Sequence, residues 1–214
     1  MMDTDSLIDA LATELRPAPR HAGEWRMALG LGLGALVTLA LIVLTIGLNP
    51  VLDKVVRHYS FWVKWAYALS LGALALMLVR TLGRPDGRLN RSAWLLALPV
   101  LVLAAIGVVE MAQVPPSHWL AMWLGESWLV CPWLILALSM PLFVGLLWSF
   151  RRMAPTRLGL AGAAAGLASG ALGAMLYCLH CPEMSAIFVL TWYTLGILMA
   201  AGLGALLGPR LLRW

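Results

Sequence analysis

The sequence predicts an all-α polytopic membrane protein: six transmembrane helices, both termini cytoplasmic, and a short amphipathic helix ahead of the first span. Three observations predict it. Only 12% of the 214 residues are charged and 62% are hydrophobic, whereas a soluble domain carries about 25% charged residues. So sparse a polar set cannot clothe a globule in water. Six apolar runs stand apart, each roughly the ~20 residues that cross a ~30 Å hydrocarbon core as a helix. The basic residues fall almost entirely in alternate loops. The 11 Trp and 20 Gly suit the same class, because Trp marks bilayer interfaces and Gly lets membrane helices approach. A cytosolic enzyme, a disordered tail and a secreted disulfide scaffold are excluded, the last also because three Cys are too few for a disulfide framework.

The first element is the N-terminal segment, residues 1–25. Its acidic opening lacks the basic n-region and cleavage site of a signal peptide. Asp3, Thr4, Asp5 and Ser6 offer helix N-caps, and early acids suit the positive end of the helix dipole. Pro17 ends the helix. Leu7, Ile8, Leu11 and Leu15 form one apolar stripe at helical spacing, and Asp5, Asp9 and Glu14 make the rest acidic. A three-turn helix alone in water is marginal, so this one docks. Its acids argue against anionic lipid headgroups, which attract basic helices. A groove on a cytoplasmic partner is the functional reading, and packing on its own membrane domain is the plainer one.

The six-helix domain, residues 26–214, follows. The runs are Met27–Leu48, Phe61–Val79, Ala93–Val109, Val130–Phe150, Leu158–Leu179 and Ser185–Leu207. Backbone groups in lipid must bond internally, which selects helices, and the runs lack the alternation of a β-barrel. Lys64 is expected to snorkel from near a span end. Arg16, Arg20, Arg26, Arg80, Arg84, Arg88, Arg91, Arg151, Arg152, Arg157, Arg210 and Arg213 lie on one side, against Lys54, Arg57 and Lys64 on the other. The positive-inside rule makes the arginine side cytoplasmic. In an envelope of bacterial type, the other side faces the periplasm. The net charge of +5 is therefore a topology signal, and no direct nucleic-acid binding is expected. No nucleotide motif or cofactor site is present. Gly30–Gly34 (GLGLG) lies inside a span and reads as close helix packing. Gly162, Gly166 and Gly170 share one face of the fifth span, and Gly204 and Gly208 repeat the spacing in the sixth. Packing within the chain is the simpler use of these rows, and a homodimer is the alternative.

Chemistry concentrates at the outer level. Cys131, Cys178 and Cys181 all lie there, and an oxidising periplasm favours disulfides. Cys131–Cys181 is the preferred pair, because both flank loops on one side; Cys178–Cys181 competes. Thiolates and imidazole suit soft metals, and His180, Glu183 and His118 are candidate neighbouring ligands. The third loop carries Trp119 and Trp123 and reads as an interfacial helix over the thiol level. Apart from Glu110, the spans show no chain of acids or His marking an ion pathway, which counts against a transporter.

The opening Met2–Pro17 (MDTDSLIDALATELRP) resembles that of the NrsF-type family, six-helix inner-membrane anti-sigma factors described as negative regulators of sigma F. Leu179–Glu183 (LHCPE), followed by Phe188 and Trp192, is similar to the family's outer motif, and Leu207–Trp214 (LGPRLLRW) to its ending. The resemblance covers the whole chain. It implies a bacterial inner-membrane protein, not an enzyme and without a cofactor. Its cytoplasmic segment would hold an extracytoplasmic-function sigma factor through Asp5, Leu7, Ile8, Asp9, Leu11, Glu14 and Leu15. It also implies that periplasmic Cys131 and Cys181 sense heavy metals or oxidants. Met184, Ala186 and Tyr193 depart from the pattern, where an acid or amide, a Pro and a His are expected, and Cys178 is an extra. The rival reading is a membrane thiol–disulfide oxidoreductase using Cys178 and Cys181.

Overall fold

The computed structural model describes Thr4, Thr13 and residues 22–84, 91–150, 153 and 155–213. Among them are six helices long and apolar enough to cross a membrane: Gly23–Ile46, Tyr59–Leu82, Ala93–Ala112, Cys131–Phe150, Leu158–Tyr177 and Ala186–Leu211. They are called spans one to six. The predicted runs find the same six with ends displaced by a few residues. Apolarity marks the hydrocarbon-length core of a helix, whereas polar and aromatic first turns such as Tyr59–Ser60 extend it. The predicted N-terminal helix, with Asp5, Leu7, Ile8, Asp9, Leu11, Glu14 and Leu15, lies outside the described residues.

Span five is the hub and the most buried of the six. It packs against spans two, four and six, while span one packs mainly on span four. The sequence explains why. Ala and Gly fill span five, and small residues let backbones touch without a hydrophobic force between helices. A methyl at Gly162 would strike the Gly204 carbonyl, and one at Gly166 would strike the Ala200 carbonyl. The glycine rows are thus used inside the chain, as the simpler reading had it. Gly30 meets the Gly145 backbone, and Gly34 lies against Pro141 and Leu142, so GLGLG is a packing seam. Thr38 Oγ1 strengthens it by donating to the Leu138 carbonyl at 2.9 Å. Span three is the least buried and meets the start of span six and span two.

Two corrections concern the thiol end, where spans one, three and five finish. Lys64 does not snorkel: it is 1% exposed, and its ammonium donates to the carbonyls of Cys181 (3.3 Å) and Glu183 (2.5 Å). Two inward-facing carbonyls give the cation a better site than the route to solvent. The third loop is also less regular than one interfacial helix. It forms a 3₁₀ turn, Pro116–His118, and a short helix, Trp119–Leu124. Trp119 Nε1 donates to the Met111 and Val114 carbonyls, tying the short helix back to the end of span three. Trp123 and Trp128 pack against Trp192 of span six with their rings tilted.

Candidate functional site

Two turns build the site. Span four begins at Cys131, with Pro132 in its first turn, where the missing amide costs no helical bond. The Cys131 amide donates to the Ser127 carbonyl at 2.8 Å. The second turn ends span five. The amides of His180 and Cys181 both donate to the Tyr177 carbonyl, at 2.9 and 3.1 Å, and Pro182 then prevents further helix.

Glu183 locks these turns together. Its Oε1 accepts from the Glu126 amide (2.8 Å) and from the Ser127 amide and hydroxyl (both 3.1 Å). Gly125 makes the approach feasible: its φ is +57°, and a methyl there would sit 2.5 Å from a Glu183 carboxylate oxygen. On the far side of the loop, Glu110 accepts from the Ala186 amide (2.7 Å) and the Tyr59 hydroxyl (3.1 Å).

The three thiols are free and fully buried. Cys131 and Cys181 lie beside each other. The neighbouring Cys131 thiol lowers the Cys181 thiol to about 6, with burial opposing and the nearby Lys64 cation assisting. Cys181 is therefore the more acidic thiol of the pair. Burial instead pushes Cys178 up to about 12, and its thiol donates to the Ala174 carbonyl at 3.3 Å. Tyr177 and Tyr193 complete the chamber, their rings 5.8 Å apart. The Tyr193 hydroxyl lies against Cys178 and Cys181 without a well-formed hydrogen bond of its own.

Chemically, a thiolate beside a thiol can lose two electrons and two protons to form a disulfide, or bind a soft cation between two sulfurs. The proposed extra ligands are engaged elsewhere: His180 Nδ1 on the Gly47 carbonyl (2.9 Å), Glu183 on the Glu126–Ser127 turn, and His118 Nδ1 beside Ser117 Oγ (3.2 Å). Among the described residues, no three His, Cys, Asp or Glu side chains converge as a metal site. The expected Cys131–Cys181 disulfide is not formed: both cysteines are free. Sequence reasoning missed Lys64, Tyr177 and Tyr193 as parts of the site. A lysine within an apolar run was the available signal for Lys64, and the departure from the family's expected His was the signal for Tyr193; nothing marked Tyr177.

The family model described as negative regulator of sigma F matches residues 11–214. The chain is similar to the probable anti-sigma-F factor NrsF of Azospira oryzae, 38% identical over 213 residues, and to the anti-sigma-F factor NrsF of Caulobacter vibrioides, 40% identical over 215 residues. Each comparison covers 100% of both chains. No solved structure matches.

Proposed function

Because the chain belongs to the NrsF family of negative regulators of sigma F, we propose that it is a membrane anti-sigma factor. In this reading it sequesters an extracytoplasmic-function sigma factor at the cytoplasmic face of a bacterial inner membrane. The full-length likeness to relatives named anti-sigma-F factors carries the reading. Residues 1–25 supply the hold. The stripe Leu7, Ile8, Leu11 and Leu15 lies in a groove of the sigma factor, and Asp5, Asp9 and Glu14 face basic residues there, adding specificity and on-rate. The arginine-rich loops keep both termini cytoplasmic, so the thiol end faces the periplasm.

Cys131 and Cys181 are the sensor in this proposal. An oxidant joins them, or a soft heavy-metal ion bridges them, and the spans repack. Moving partner occupancy from 99:1 to 1:99 takes about 5.5 kcal/mol of differential stability. One disulfide, worth ~2–4 kcal/mol, supplies much of that. This reading is supported over thiol exchange by Cys178 and Cys181 because the Cys178 thiol donates to a helix carbonyl, while the acidic Cys181 thiol lies beside Cys131.

The test is capture of the sigma factor by the full chain in detergent, before and after diamide or cadmium. Captured partner is expected to leave on treatment, and Cys131→Ser or Cys181→Ser is expected to abolish the response. Retention in the treated wild type refutes thiol sensing; absence of capture refutes sequestration of that sigma factor.

A further inference from the structure

The proposed sensor lies at the level where span one ends, and the proposed holding segment precedes the start of span one in sequence. Span one joins them, since residues 1–21 lead directly into it. Its long contact is the glycine seam on span four. Its thiol end is different. There the α-helix gives way to a π-turn, Ile42–Ile46, closed by the Gly47 amide on the Ile42 carbonyl at 2.7 Å. Gly47 then turns the chain with φ +76°. Such π-turns recur at functional sites.

Two bonds tie this turn to the residues immediately before Cys181. His180 Nδ1 bonds the Gly47 carbonyl at 2.9 Å, and the Asn49 amide donates to the Leu179 carbonyl at 3.0 Å. A carbonyl only accepts, so Nδ1 carries the proton. His180 cannot move independently of Cys181, because both amides share the Tyr177 carbonyl and the His180 ring packs on Tyr177 at 5.7 Å. Asn49 is 7% exposed, with its side-chain Nδ2 unpartnered, and His180 and Gly47 are half-buried.

Disulfide formation must displace this turn. The unbonded sulfurs close to about 2.05 Å, and Cys131 starts a span fixed by its own packing. We propose that His180 is the coupling residue, its Nδ1–H bond to Gly47 carrying closure of the Cys131–Cys181 pair to span one and thus to the N-terminal segment. This inference rests on the anti-sigma and thiol-sensing reading above. His180 is a positioning residue in it and not a ligand.

The test uses the full chain with captured sigma factor, and diamide as the oxidant. Diamide takes two electrons and two protons from the thiols and becomes the hydrazine as the S–S bond forms. Disulfide formation is read by thiol trapping and partner release by capture. His180→Phe keeps a ring without a donor; His180→Asn keeps a donor near the Nδ1 position. We expect His180→Phe to capture partner and form the disulfide as the wild type does, yet release at least tenfold less, with His180→Asn restoring release. Normal release from oxidised His180→Phe overturns the coupling role. Hydrogen exchange on the wild type gives a second reading that needs no variant to fold. Amides of residues 42–49 are expected to lose protection on oxidation, and unchanged protection overturns the proposal. A wild type that forms the disulfide yet keeps its partner refutes thiol sensing itself, and the coupling with it.

Discussion

Replacing Gly166 by Ala tests the central packing argument with an internal control. An added methyl would lie 2.2 Å from the Ala200 carbonyl oxygen and 2.8 Å from Ala201 Cα. Ordinary contact begins near 3.4 Å, so spans five and six must separate by more than an ångström at that level. Both neighbours are backbone, and no rotamer change relieves them. Overpacking of this kind costs ~1–3 kcal/mol, against a helix-propensity gain of up to about 1 kcal/mol for Gly→Ala. A net loss of up to about 2 kcal/mol is expected for Gly166→Ala. Gly202 lies in the same sixth helix with nothing within 4 Å of its added methyl, so Gly202→Ala shows only the propensity gain. The assay is reversible unfolding in mixed micelles of a mild detergent and SDS, followed by circular dichroism. Equal stability of the two variants would refute the close approach of spans five and six.

Three further outcomes follow from the thiol end. Cys178→Ser should leave partner release unchanged, because Cys178 contributes no reactive thiolate; loss of release would revive the Cys178–Cys181 relay. In that same variant, absorbance at 240 nm should rise with a midpoint near pH 6 as Cys181 ionises, well below the ordinary thiol value of 9.0. A depressed value in the folded state means the thiolate stabilises the fold above the ordinary thiol range, and that contribution is lost as pH falls through about 6; a midpoint near 9 contradicts this. Gly125→Ala should loosen the Glu183 lock by about 1–2 kcal/mol, since a left-handed residue gains strain while the carboxylate is pushed from three donors, read as a lower unfolding midpoint.

How much of this was legible in the residues depends on what each feature needs. The six spans show in composition because hydrocarbon solvates only apolar side chains. The glycine rows predicted a close seam, but their spacing alone names no partner, and the structure supplies it in Gly204 opposite Gly162. Cys131 and Cys181 are carried by turns at the same end of the bundle, at the start of span four and just past span five. Lys64 was misread: its cost in a span is visible in sequence, whereas the Cys181 and Glu183 carbonyls that satisfy it lie more than a hundred residues away. The Gly47–His180 join is equally nonlocal. The relevant signal there, a π-turn in span one, leaves no mark in a uniformly apolar run.

The central claim is that the N-terminal segment holds a sigma factor. The direct measurement is capture of that factor from membranes by the full chain and by a chain lacking Met1–Arg16, at matched amounts of folded membrane protein. Capture by the full chain and at least a tenfold loss on truncation is the expected result. Undiminished capture by the truncated chain would contradict the account and place the binding surface elsewhere on the bundle.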